Sequence, residues 1–171
     1  CLVDMMKLGT HIISIDPRIT WVGAHDGNIN LQVRPQTDTA LALGLINLLF
    51  ENDEYDHEFV EKWCYGFEEY EKACEPYNLD WASEVTWLDK EDIIAAAKYM
   101  SEKPTAVQWG LAIDMNLQCV TASQALCNLW CITGQIDIPG GMITVHDPYN
   151  TEVWLPPDPR EVFTPEQEKE R

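Results

Sequence analysis

The sequence predicts an α/β domain, an open and mostly parallel sheet flanked by helices, and three features predict it. A short β-branched run at residues 11–15 (His-Ile-Ile-Ser-Ile) is stopped by Pro17, the pattern of a buried strand. A second run at residues 29–33 passes through Pro35 into residues 39–50, which are apolar nearly all round and so read as a buried helix. A third run at residues 105–109 follows one helix and leads into another, and strands alternating with helices build parallel sheets.

Each element has its own signals. Residues 2–8 read as the last turns of a helix closed at Gly9, so the domain is expected to begin inside an element, as an N-terminally truncated piece would. Residues 56–64 and 67–73 read as surface helices, with Phe59, Val60, Trp63, Phe67, Tyr70 and Cys74 at roughly helical spacing and their acidic residues solvated. After a stretch marked by Trp81 and Trp87, Asp89 starts a helix that runs to Met100 and ends before Pro104. The last helix covers residues 120–133, with Ala122, Leu126, Leu129, Trp130 and Thr133 on one face. Pro139, Gly140 and Gly141 beyond it mark a tight turn or a close backbone approach to a ligand. From His146 onward the prolines and charges lack periodicity. Residues 1–146 are therefore expected to form the domain and residues 147–171 an extended linker or tail.

Composition excludes several functions. With 171 residues, 46% of them hydrophobic, the chain suits one domain with an ample core. A net charge of −18 argues against nucleic-acid partners, which require Lys and Arg to neutralise phosphates. The same acidity means that a pyrophosphate would need its positive side from backbone N–H groups, Arg18, Arg34 or another domain. The longest apolar stretch, residues 40–50, is interrupted by Gly44 and Asn47, so no direct membrane insertion is expected. Six cysteines, at positions 1, 64, 74, 119, 127 and 131, form no Cys-x-x-Cys pair and have no His at zinc-ligand spacing, so no metal site is expected within the chain. Cys127 and Cys131 lie one turn apart beside an apolar helix face and are expected to be buried thiols.

Two carboxylates stand where such sheets usually meet ligands. Asp16 follows the first strand, where an acidic residue can accept hydrogen bonds from ribose hydroxyls; Asp-Pro is equally a turn initiator. Asp38 precedes the apolar helix, and either it or Thr37 suits the N-cap. Its two oxygens could also take N1–H and the exocyclic amine of a guanine, and the two roles can coexist.

In order along the chain come Ile15-Asp16-Pro17-Arg18; Arg34-Pro35-Gln36-Thr37-Asp38 with Ala40-Leu41-Ala42-Leu43; Tyr55-Asp56-His57-Glu58-Phe59-Val60; Gly66-Phe67; Lys103-Pro104; Trp109-Gly110; and Thr133 through Gly141. This ordered series resembles the third domain of the molybdopterin oxidoreductases of the dimethyl sulfoxide reductase family, over roughly residues 2–145. Asp137 in its Gly-Gln-Ile-Asp-Ile-Pro-Gly-Gly stretch is most similar to the acetylene-hydratase and polysulfide-reductase-like branches.

The resemblance implies a dinucleotide-binding-like domain that holds one guanosine arm of a bis(molybdopterin guanine dinucleotide) carrying molybdenum or tungsten. It places Asp16 at the ribose and Asp38 at the guanine, with Pro17, Arg18, Pro35 and Thr37 shaping the loops. It matches Trp109, Gly110 and Asp114 to a loop facing the cofactor. The family usually has Gly where this chain has Gln36, and a φ above zero there would cost Gln what it does not cost Gly. The resemblance further implies a parent oxidoreductase with two-electron, oxygen-atom or hydroxyl transfer chemistry, an iron–sulfur cluster elsewhere in that parent, the remaining parent domains as partners, and an electron-transfer subunit. The isolated chain would be inactive, with no catalytic acid, base or nucleophile assigned and Cys1 not assigned as a metal ligand. Two other readings are a nicotinamide-nucleotide-binding domain, which lacks its Gly-x-Gly-x-x-Gly after residues 11–15, and a non-catalytic interaction module using the acidic face and exposed Trp residues.

Overall fold

The computed structural model of the chain describes residues 2–25, 27–102 and 104–143. Cys1, the run from His146 and the expected tail at residues 147–171 lie outside them. The elements run α1 (Leu2–Lys7), β1 (Ile13–Ile15), β2 (Ile29–Leu31), α2 (Asp38–Glu51), α3 (His57–Trp63), α4 (Phe67–Cys74), α5 (Leu79–Thr86), α6 (Lys90–Ser101), α7 (Leu111–Asp114) and α8 (Cys119–Ile132).

Helix α2 is the axis of the packing, as its apolar circumference requires. Leu41, Leu45, Ile46 and Leu49 are buried on it, and α4, α5, α6 and α8 pack around it. Ile93, Ala96 and Ala97 from α6, Ala82 from α5 and Leu129 and Ile132 from α8 complete the core with Leu31 of β2. Full burial of each large aliphatic side chain contributes about 1.5–3 kcal/mol. At the end of α2, the Phe50 ring meets Tyr55, Phe67 and Tyr70 edge-on at centroid distances of 5.7, 5.3 and 6.4 Å, a favoured aromatic geometry that fastens α4 and the α2–α3 loop. Asp56 caps α3 by accepting from the Phe59 N–H at 2.9 Å. Its own N–H donates to the Ile132 carbonyl at 2.7 Å, tying α3 to the end of α8.

The sheet corrects the sequence expectation. Among the described residues it has two strands, β1 and β2, parallel, with Ile13 opposite Ile29, Ser14 opposite Asn30 and Ile15 opposite Leu31. The fold is thus a helix-rich α/β arrangement rather than an open sheet of many strands. Residues 105–109 do not join it as a third strand. They alternate half-buried and exposed as a strand would, which explains the sequence signal. Their anchor is different: the Thr105 N–H donates to Gln135 Oε1 at 2.9 Å, and the Thr105 hydroxyl donates to the Glu102 carbonyl at 2.6 Å.

Other elements differ in detail. Neither α5 nor α7 was expected; the cue for α5 was Asn78, whose side chain accepts from the Trp81 N–H at 2.9 Å. Asp89 stands at the N-cap of α6 without a side-chain cap bond. Trp63 is exposed rather than part of the α3 apolar face. On α8 the buried stripe is Ala122, Ala125, Leu129, Trp130 and Ile132, with Leu126 half-buried. Of the thiols, Cys74 is buried, Cys64, Cys119 and Cys131 are intermediate, and Cys127 is exposed, so Cys127 is not the buried thiol its helix position suggested. The Pro139-Gly140-Gly141 stretch forms the expected tight turn, and its close backbone approach is to Pro104 of this chain. Gly140 has φ +83°, and a Cβ there would stand 2.7 Å from the Pro104 ring, while the Met142 N–H closes the turn on the Gln135 carbonyl at 2.7 Å.

Candidate functional site

Parallel pairing fixes the geometry of the site. Because β1 and β2 run the same way, both loops that leave their carboxyl ends emerge at one edge of the sheet. The Asp16 N–H donates to the Leu31 carbonyl at 3.2 Å, so Asp16 sits level with the exit of β2. From that exit the chain passes Arg34, Pro35, Gln36 and Thr37 into α2.

Asp16 is engaged within its own loop. Arg18 donates its backbone N–H to Asp16 Oδ1 at 2.8 Å, Nε to the same oxygen at 3.1 Å and Nη2 to Oδ2 at 3.3 Å. Pro17 fixes the turn between them. The side-chain bond from Arg18, aided by its backbone N–H, holds the Asp16 carboxyl below its ordinary value, and the carboxylate raises Arg18 in return. Both groups are solvent-accessible, Arg18 with 83% of its side chain exposed, so the pair is screened and contributes little to stability. The turn reading of Asp16 is therefore present in the fold; Oδ1 accepts twice, and Oδ2 keeps a lone pair for a further donor.

A pH dependence follows. Since folding lowers the Asp16 pKa, the stabilisation is present above the ordinary carboxyl value and is lost as pH falls through the lowered one. A carboxyl 13C titration is expected to show Asp16 titrating below free aspartate, and Arg18→Met is expected to move it back up. A midpoint that Arg18→Met leaves in place would contradict the assignment.

The second loop departs from a simple cap. Thr37 occupies the N-cap of α2, but its hydroxyl donates to the Arg34 carbonyl at 2.7 Å, and no side chain caps the helix. Asp38 is the first helical residue instead of the cap. It is half-buried, and its carboxylate has no hydrogen-bond or ion-pair partner among the described residues. The buried Thr39 hydroxyl beside it also lacks a partner among the described residues. At this helix start the first-turn N–H groups have no side-chain cap, and the Asp38 carboxylate and the buried Thr39 hydroxyl have no hydrogen-bond partner among the described residues.

Gln36 carries strain at that start. Its φ is +68°, the left-handed region in which an L residue costs about 1–2 kcal/mol. Gly would relieve this but loses about 0.5–1 kcal/mol more chain entropy on folding. Gln36→Gly is expected to raise stability by about 0.5–1 kcal/mol, read as a higher urea midpoint; a lower midpoint would show that the Gln side chain is supported by its surroundings.

Arg34 was named as a source of positive charge, but its contact with Trp87 is what sequence reasoning missed. Its guanidinium lies 4.8 Å from the centroid of the Trp87 ring, a cation–π contact. The Arg34 N–H also donates to the Thr86 carbonyl at 2.9 Å. Trp87 reaches this place because it follows α5 with φ +65°, a turn that no pattern of residue types announced. The loop is thereby anchored to α5 and carries a positive charge to the sheet edge.

Trp109, Gly110 and Asp114 form a separate group. The half-buried Trp109 ring stacks on Trp130 at 5.0 Å and 9°, Gly110 is the N-cap of α7, and Asp114 is exposed at the other end of that helix. No described contact joins them to Asp16 or Asp38. No group of three or more His, Cys, Asp or Glu among the described residues is placed to hold a metal ion. No helix among them is long and apolar enough to cross a membrane.

The chain is of the helix-rich α/β class, with two loops converging at the carboxyl edge of a parallel strand pair. Comparison with known proteins narrows the class. No family model matches. The chain is 40% identical over 130 residues to acetylene hydratase of Syntrophotalea acetylenica, covering 75% of this chain and 18% of that protein. It is 35% identical over 133 residues to the F420-dependent formate dehydrogenase subunit alpha of Methanocaldococcus jannaschii, covering 77% and 20%. The solved structure of acetylene hydratase from Pelobacter acetylenicus superposes with a TM-score of 0.74 at 39% identity, covering 78% of this chain and 18% of that one. The chain is part of an enzyme family, the molybdopterin oxidoreductases of the dimethyl sulfoxide reductase family. It spans about a fifth of the length of these curated relatives.

Proposed function

We propose that this chain is the domain of a molybdenum- or tungsten-dependent bis(molybdopterin guanine dinucleotide) oxidoreductase that receives one guanosine arm, in a dinucleotide-binding-like manner. The observation that carries the reading is the start of α2 at the carboxyl edge of β2, where Asp38 and Thr39 lack partners among the described residues and no side chain caps the helix. An ionised carboxylate accepts from two donors at once, which suits the N1–H and amine edge of guanine. The first-turn N–H groups and Arg34 offset the acidity of the chain toward a pyrophosphate. Asp16, already ionised by Arg18, accepts from a ribose hydroxyl with the remaining lone pair of Oδ2.

Trp109, Gly110 and Asp114 face the same cofactor from the α7 side. When bound, the metal would exchange an oxygen atom or two electrons with substrate, and the residues here bind and orient the dinucleotide. The second guanosine site, the iron–sulfur cluster and the contacts of an electron-transfer subunit belong to the rest of the parent. Hydrogen exchange on the full-length parent tests the reading. Backbone amides of residues 16–20 and 34–41 are expected to slow in cofactor-loaded relative to pterin-free enzyme; unchanged exchange in both loops would remove the proposal.

A further inference from the structure

At the end of α2 away from Asp38 a cavity opens between α3 and α4. Helix α2 has 14 residues, so its two ends stand about 20 Å apart, and the Phe50 ring near its C-terminal end meets Tyr55 and Phe67. Those two rings, 5.1 Å apart, line a cavity of about 430 Å³ whose wall also holds His57, Glu61, Glu68 and Glu69 and neither Lys nor Arg. The three glutamates are exposed and have no hydrogen-bond or ion-pair partner among the described residues. His57 is taken by Asp53 at 3.0 Å. The turn that joins the two helices, residues 64–66, passes through Gly66 at φ +75° and throws Tyr65 wholly into solvent, beside Trp63 at 67% exposure. Lys62 lies 5.0 Å from the Trp63 ring centroid, so a cation already rests on this rim.

Charge decides what such a cavity takes. From Glu51 to Glu75 ten Asp or Glu stand against two Lys, so this stretch holds −8 of the chain's −18. An anion is repelled, and a second copy of so acidic a chain brings like charge to like. Among the described residues the carboxylates are not placed to hold a metal ion. A guanidinium or ammonium group suits both parts of the wall, the ring faces by cation–π contact and the glutamates by charge-assisted hydrogen bonds. We propose that this cavity receives an Arg or Lys side chain from a basic segment of a separate protein, with Trp63 and Tyr65 packing beside it. Large aromatic side chains are the type that anchors interfaces, and here two of them stand in solvent at the mouth of the cavity. Permanent interfaces deplete charge at their buried centre. A wall of three unpaired glutamates therefore fits a partner that comes and goes, steered in by the field of the acidic stretch, and not a fixed neighbouring domain. Guanosine binding and this contact are independent, since the loop before Asp38 lies at the other end of α2.

Fluorescence anisotropy of fluorescein-labelled hexa-arginine, titrated with the full-length parent at about 0.15 M salt, where distant surface charges are largely screened, tests the proposal. Glu68→Gln/Glu69→Gln is expected to weaken binding about 10-fold, and Glu91→Gln/Asp92→Asn on α6, an equal change in net charge, less than about twofold. Equal weakening by both pairs would reduce the effect to the overall charge of the chain and overturn the site. Trp63→Ser/Tyr65→Ser is expected to weaken binding at least about fivefold; an unchanged affinity would remove the aromatic rim and with it the proposal. Absence of binding to the wild-type parent would mean that another domain covers this face, and it too overturns the proposal. Spermidine or magnesium chloride displacing the labelled peptide as well as unlabelled hexa-arginine does would make this a site for small cations, again overturning it. If a variant fails to accumulate, hydrogen exchange on the wild-type parent makes the comparison without substitution: residues 57–70 are expected to slow with hexa-arginine while residues 90–101 do not, and equal slowing in both would overturn the site.

Discussion

Gly44→Leu is expected to lower the stability of this domain by at least about 3 kcal/mol, the upper range for overpacking a core, and Gly44→Ala by about 1–2 kcal/mol. Intrinsic propensity argues the other way, since Ala is favoured over Gly inside a helix by about 1 kcal/mol. Packing decides the sign. Gly44 lies on the buried side of α2, and a Cβ there would collide with the Cβ of Ala82 on α5, itself fully buried. Relief by sliding α5 is opposed at both ends. Asn78 caps its start through the Trp81 N–H, and its last turn is held by the Arg34 N–H on the Thr86 carbonyl at 2.9 Å. A displaced α5 would therefore pull on the Arg34 loop and carry the damage to the sheet edge. Ala82→Gly is expected to restore most of the loss in Gly44→Ala, because it empties the space the new methyl needs. Urea unfolding of the four members of this double-mutant cycle measures the coupling; additive losses would show that the two positions do not compete for the same space.

The contrast between α2 and the sheet shows what the sequence could reveal. An apolar circumference from Thr39 to Phe50 allows one outcome, burial at the centre, and α2 occupies it. Helix ends were legible where a side chain commits to a local bond, as Asp56 does to the Phe59 N–H. They were misleading where the same residue type has a choice: Thr37 gives its hydroxyl to the Arg34 carbonyl and caps nothing. Residues 105–109 carry a true strand alternation, but alternation reports one half-covered face and says nothing of a neighbour for the backbone. Here the Gln135 side chain supplies the partner for Thr105. Trp87 was beyond reach, since its ring meets Arg34 through a left-handed turn that depends on where α5 stops. Gln36 is the opposite case. Its departure from the Gly of the resembling family raised the question of a positive φ without answering it, and the backbone has one.

Asp38→Asn in the parent enzyme is expected to lower retained GMP per metal and to speed cofactor loss about 100-fold, with little change in the stability of the fold. The two effects separate by magnitude. Asp38 makes no side-chain bond among the described residues, so its contribution to folding is the favourable placement of a negative charge at a helix start, about 0.3–1 kcal/mol. Against guanine, the carboxylate would accept two hydrogen bonds, each to a charged acceptor and each about 1.5–3 kcal/mol. The half-exposed position reduces that sum toward about 3 kcal/mol, which corresponds to roughly 100-fold. Asn keeps one acceptor but turns an NH2 toward the second guanine donor, so part of the loss is repulsive. Asp38→Ala removes both bonds without adding that clash and is expected to fall between wild type and Asn. Acid release of GMP from gel-filtered enzyme, with urea midpoints on the same preparations, distinguishes binding from folding. A parent carrying Asp38→Asn with wild-type GMP content would remove guanine from this position, and a fall in midpoint as large as the fall in GMP would make Asp38 a structural residue of α2.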